Sequence, residues 1–151
     1  MKTLSNAADK AEILSRLGRI QPNSQRRWGR MSAHGMICHL SDGFRLYMGD
    51  LPAKPAAVPM PRVLLTLVAL WAPLPWPHGF RTMPEIDQEA AGTKPTEFSA
   101  DVAELRRLIE AFTARPGRFS STHPHFGPLT EKDWMRLGYL HVNHHLRQFG
   151  A

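Results

Sequence analysis

The stretch HVNHHLRQFG, residues 141–150, carries three histidines within five positions. Neutral imidazoles suit zinc, nickel or ferrous iron. They also occur as polar surface residues or as hydrogen-bonded core residues, so their directions decide what they can do. At about 100° per residue from His141, Trp134 falls at about 20°, His145 at about 40°, Gly138 at about 60°, Phe149 at about 80° and Val142 at about 100°. Met135 and Leu146 complete this apolar arc, and Arg136, Asn143 and Arg147 take the other side. His145 therefore lies inside the arc, His141 at its edge, and His144 beyond the edge at about −60°. His141 and His145 stack one turn apart, a recurrent helical way to hold one metal ion. There is no Glu after the first histidine, so this is not the HExxH pattern of zinc proteases.

A second helix, MSAHGMICHLSDGFRLYMG (residues 31–49), offers a third imidazole. Measured from His39, Gly43 falls at about 40°, Met36 at about 60°, Tyr47 at about 80°, Leu40 at about 100° and Phe44 at about 140°. His39 also sits at the edge of an apolar arc, and Gly43 leaves volume beside it. His34, Ser41 and Arg45 point away, and Cys38 is rotated by about 100° from His39. Neither His34 nor Cys38 is thus a natural co-ligand, and His34 reads as exposed. Three protein ligands would leave a coordination position open, the mark of a catalytic rather than a closed structural site.

Several neighbouring residues bear on the same place. Asp42 lies towards the polar side, as an exposed charge or as a carboxylate orienting an imidazole. His144 reads as a surface residue or as a neighbour of the ligands. Tyr47 and Trp134 share the arc beside the histidines and read as core. His123 and His125, in the loop feeding the last helix, are either solvated or reach the mouth of the site. Trp76, His78 and Phe80 line a pocket or form a packed cover.

These residues need elements to hold them. Helical spacing predicts a first helix from about Asn6 to Leu17, with Ile13, Leu14 and Leu17 inward. The second begins after a Ser32 cap and runs to about Met48. A long connection, Gly49 to Phe98, contains one uninterrupted apolar run, Val63 to Ala72, before prolines at 73, 75 and 77. That run is too short to span a bilayer and reads as a buried or pocket-covering helix. Ser99 is the expected cap of the third main helix, ADVAELRRLIEAFTAR, which Pro116-Gly117 ends. Thr130 and Asp133 form a variant capping box for the last helix, with Gly150 as its stop. No segment alternates with period two for long enough to be a strand. The reading is all-α: one domain over residues 1–151, a four-helix bundle with a long crossover between helices 2 and 3 that contains an extra short helix.

The chain has 151 residues, 42% hydrophobic and 21% charged, enough for an ordinary core. Its single cysteine, Cys38, rules out a disulfide framework. The N-terminal segment MKTLSNAADKAEILSRL lacks the apolar stretch of a secretory signal, so a cytoplasmic location is expected. A net charge of +6 raises nucleic acid as a partner, but the basic residues are scattered and no nucleic-acid-binding motif accompanies them. Neither nucleic acid nor membrane is expected as a partner.

The blocks WGRMSAHGMICHL (28–40), PWPHGFRTMPEIDQ (75–88) and HPHFGPLTEKDWMRLGYLHVNHHLRQFG (123–150) resemble a branch of the DinB-like (DinB/YfiT) superfamily of small four-helix-bundle metalloenzymes, a branch known mainly as a domain of unknown function. The resemblance implies a divalent metal, zinc, nickel or iron, on His39, His141 and His145. It further implies a small-molecule substrate and either a thiol-dependent transferase, using a low-molecular-weight thiol, or a hydrolase. Pairing as a homodimer is in keeping with bundles of this type. Two readings compete with it: a non-catalytic metal-binding or structural bundle, and a basic nucleic-acid-binding protein.

Overall fold

The computed structural model describes residues 1–79, 82–114 and 122–151. The expected Pro116-Gly117 stop and the cover residue Phe80 lie outside these described residues. The order is α1 (Ala7–Leu17), α2 (Ala33–Met48), α3 (Arg62–Thr66), α4 (Phe98–Thr113) and α5 (Glu131–Gln148). A π-helical turn, Leu67–Trp71, continues α3, and a 3-10 turn, Pro84–Ile86, lies in the connection before α4. Among the described residues the protein is all-helical; the one β-type pairing is an isolated bridge between His123 and Gly127.

Local signals account for the ends. The Asn6 side chain accepts from Asp9 N, and Ser32 Oγ accepts from Gly35 N at 2.9 Å. Gly49, at φ 81°, takes the left-handed turn that closes α2. Thr130 and Asp133 bond reciprocally at the start of α5. The start of α4 departs from expectation. Glu97, not Ser99, is its cap: the Glu97 carboxylate accepts from Ser99 N at 3.0 Å and Ala100 N at 2.7 Å. Ser99 lies inside the first turn, one residue past the helix start, and its Oγ donates to the same carboxylate.

Of the two expected roles for the apolar run, buried or pocket-covering helix, burial does not hold along α3 and the π turn. Val63, Leu64, Leu67 and Val68 are 45–74% exposed, while Leu70 is fully buried. Ala72 N bonds to Leu67 O, widening the last turn before the prolines forbid continuation. Among the described residues no helix is long and apolar enough to cross a membrane.

α2 is the central element. It packs against both α4 and α5, and α1 packs against α5. Phe44, Phe112, Leu105, Ile109, Trp134 and Leu146 form the fully buried centre. A Cβ on Gly138 would lie 2.8 Å from Leu4 Cδ1 and 3.2 Å from Phe112 Cε1, so this glycine lets α5 approach its neighbours. Arg136, expected on the solvent side, is buried instead. Its Nε donates to Leu70 O at 2.8 Å and Nη1 to Lys2 O at 2.7 Å. The guanidinium thus satisfies carbonyls of the π turn and of the N-terminal segment, both lying over a face that a wheel of α5 alone reads as open.

Candidate metal centre

α2 and α5 bring His39, His141 and His145 together, with one ligand-capable atom from each lying within 4.8 Å of the others. All three are buried: His39 is 4% exposed, His141 8% and His145 9%. Zinc–nitrogen bonds of about 2.0–2.1 Å ask for nitrogens somewhat over 3 Å apart, so this spacing needs only small ring movements.

The hydrogen bonds show which nitrogens are available. His39 Nδ1 lies 2.8 Å from Ile86 O, a carbonyl that can only accept, so Nδ1 carries the proton and Nε2 keeps its lone pair. His145 Nδ1 lies 2.8 Å from Gln148 Oε1. The Gln148 amide is oriented by its Nε2, which donates to Trp28 O at 3.0 Å, so His145 Nδ1 is again the donor. His141 Nδ1 meets the Tyr47 hydroxyl at 2.8 Å, and its Nε2 lies 2.9 Å from His39 Nε2. The Tyr47 hydroxyl can either donate or accept. It donates when His141 Nε2–H points at His39, and accepts when that nitrogen turns its lone pair inward. Tethering of the outer nitrogen is how metal-bound histidines are held in tautomer and tilt.

Burial pushes all three histidines below the ordinary imidazole range, His141 and His145 well below. For His141 the other imidazoles add to the effect of burial. The rings are therefore neutral at pH 7, as coordination requires. His123, 7% exposed, is likewise pushed down to about 3, first by burial and then by His125.

A pH prediction follows. A histidine with a lowered folded pKa binds its proton mainly in the unfolded chain, so stability is intact above about pH 6.5 and falls as pH drops below it. His123 alone removes about 2 kcal/mol by pH 5. Melting temperature measured in a chelator should fall steeply between pH 7 and pH 5. A flat profile would mean the imidazoles titrate freely in the folded protein.

Other expected neighbours are placed differently. Asp42 is buried, 2% exposed, and does not touch an imidazole. It accepts from Thr93 N at 2.8 Å, Thr93 Oγ1 at 2.7 Å, Arg45 Nη1 at 3.0 Å and Gln88 Nε2 at 3.3 Å. The polar side of α2 is covered by the connection, which Asp42 anchors close to Ile86. Ser41, expected to point outward, is buried and donates to Ile37 O. His34 is half-buried against Asp101 rather than exposed. Tyr47 and Trp134 are buried in the core as expected, and Tyr47 additionally bonds to His141. His123 is buried beside Tyr47, and His125 sits at the edge of the same cluster. His144 packs edge-on against His145, with ring centroids 5.2 Å apart, and near Trp76 at 5.9 Å and Trp28 at 5.8 Å. Trp28 stacks on His78 at 4.0 Å, and Trp76 lies 6.2 Å from His141. These aromatic rings cover the histidines.

Gly43 does not leave open volume; His141 fills it. A Cβ there would lie 3.1 Å from His141 Cε1 and 3.3 Å from Nδ1. Gly43→Ala gains helix propensity of up to about 1 kcal/mol, so the fold should survive. The displaced ring should weaken zinc binding about tenfold. Competition with a chromophoric chelator measures this; unchanged affinity would show that the ring shifts without consequence.

Sequence reasoning missed two groups at the site. Gln148 lies three residues after His145 on the same helix, a spacing that could have exposed it. The Ile86 carbonyl has no side-chain signature and could not be found that way.

Two helices joining three buried, tethered imidazoles define an all-helical protein with a group that could hold a metal ion. The chain belongs to the family DUF1569, described as a protein of unknown function, which matches residues 4–151. No curated protein and no solved structure matches it.

Proposed function

We propose that this chain is a metal-dependent enzyme acting on a small molecule, with His39, His141 and His145 holding a divalent cation in a four-helix arrangement of the DinB-like kind. One observation carries the reading. The outer nitrogens of the three rings are bonded to Ile86 O, Tyr47 Oη and Gln148 Oε1, while the cluster's inner nitrogens converge. Core histidines also take hydrogen bonds, but three rings tethered at their outer nitrogens, with the inner ones turned to a common point, form the arrangement a shared cation uses. When bound, zinc, nickel or ferrous iron would act as a Lewis acid and lower the pKa of a thiol or a water.

The chain's own residues supply orientation and exclusion of solvent. Trp76 and His144 separate the histidines from a shallow pocket of about 360 Å³ also lined by Leu140, Asn143, Arg136 and Arg147. That volume suits a small molecule. The Arg136 guanidinium is bonded to carbonyls, whereas exposed Arg147 makes no ion pair among the described residues. The pocket therefore favours a substrate or thiol with a negative group. His144, pushed down to about 4 chiefly by burial and then by His78, is neutral. It serves as a hydrogen-bonding wall rather than an ion-pair partner. A low-molecular-weight thiol available in the cytoplasm would fit a transferase, and water would fit a hydrolase.

The low exposure of the ligands favours one second reading, a non-catalytic metal-binding bundle. Thiol-transfer and hydrolysis assays separate the two. The enzyme reading expects turnover that is lost in a chelator, restored by one of the three metals, and reduced in Arg147→Ala through KM. A stoichiometric cation with no turnover of electrophiles, esters or amides would favour the structural bundle.

A further inference from the structure

We infer that His34, Cys38 and Asp101 form a second cation site between α2 and α4, suited to a borderline divalent cation such as zinc. It is independent of the three-histidine cluster and of the activity proposed above. His34 and Cys38 are one turn apart on α2, and Asp101 stands in the first turn of α4. Their ligand-capable atoms lie within 4.8 Å of one another. Asp101 Oδ2 is the common vertex: His34 Nε2 lies 2.6 Å from it and Cys38 Sγ 3.7 Å. Thiolate, imidazole and carboxylate are all zinc ligands. Their helical placement matches that of the first cluster, with an i, i+4 pair on one helix and a third group on another.

Other roles fit less well. The carboxylate lies between imidazole and thiol, so His34 is not placed to take the proton of Cys38 as in a nucleophilic triad. His34 Nε2 and the Cys38 thiol both direct hydrogen bonds at the same carboxylate oxygen, the convergence that a shared cation would use. Cys38 is buried while His34 and Asp101 are about one-fifth exposed, which gives a cation an approach from solvent. On binding, the cation would stand where the His34 Nε2 proton now bridges to Asp101. That proton moves to Nδ1, and the thiol proton leaves to solvent.

Cys38 is the chain's single cysteine, so a sulfur-to-metal charge-transfer band can report only this site. The test titrates Co²⁺ into the full chain under a thiol-free reductant, for wild type, His141→Ala, Cys38→Ser and Asp101→Asn. A near-ultraviolet charge-transfer band is expected in wild type and in His141→Ala, bleached by Zn²⁺ and lost in Cys38→Ser. Asp101→Asn should weaken the Co²⁺ binding that this band follows by at least about tenfold. Visible cobalt absorption without the near-ultraviolet band, up to two equivalents in wild type, would overturn the site and leave the three-histidine reading standing. The band surviving in His141→Ala supports it whatever becomes of that reading. A band of unchanged affinity in folded Asp101→Asn would also overturn it.

Discussion

His141→Ala is expected to abolish most of the rise in melting temperature that zinc produces through the three-histidine cluster. His141 touches both other histidines, with Nε2 2.9 Å from His39 Nε2 and ring centroids 5.0 Å from His145. A ligand at about 1,000 times its Kd stabilises by about 4 kcal/mol. For a chain of this size that raises the melting temperature by about 10 °C. Losing one of three ligands should cost more than the 10- to 100-fold typical of a lost outer partner, leaving a rise of under about 5 °C at the same zinc concentration. The Cys38 site binds zinc in both chains, so the difference between them isolates the histidine cluster. Equal rises would mean that the three imidazoles do not share a cation.

Asp42→Ala should lower stability by about 3 kcal/mol and, separately, weaken zinc binding by about 10- to 100-fold. The carboxylate gathers four donors at a site 2% exposed. Its loss leaves Thr93 N without that acceptor and frees the connection that presents Ile86 O to His39. Arg45 keeps Glu104 as a partner at 3.0 Å, which limits the cost of the broken ion pair. Glu89→Ala is the control. Glu89 pairs with Arg30 at 3.3 Å, both largely exposed, and its loss should cost under about 1 kcal/mol. Denaturant unfolding gives the stability and chelator competition the affinity. If both variants behave alike, Asp42 does not anchor the connection.

The helix wheel brought out the three histidines because each stands at or inside its own helix's apolar arc. The caps at Ser32 and Thr130 were legible because side chain and backbone meet within three residues. Asp42, Ser41 and Arg136 were not legible for one shared reason. Each lies on a polar face that another part of the chain buries; Thr93 of the connection settles over Asp42 and the Leu70 carbonyl of the π turn over Arg136. The exposed side chains of α3 and the π turn are the converse: an apolar run predicts burial, but here only Leu70 is fully buried. The π turn and the cap at Glu97 depend on competition between neighbouring groups, to which a periodic pattern is blind. The pairing of Cys38 with Asp101 spans 63 positions of sequence and joins two helices.

The packing of α1 against α5 also bears on how the protein is made. Leu17 ends α1 and Glu131 begins α5, and Leu4 N waits on Met135 O. A ribosome that has just released α1 must add more than a hundred further residues before its partner exists. Until then α1 has only α4 to meet, through Lys10–Glu110 and Arg106–Leu14 O, and α2 lacks one side of its support. Such distant pairing slows folding and lengthens the exposure of apolar surface. The three-histidine cluster, which needs both α2 and α5, can assemble only after α5 has emerged.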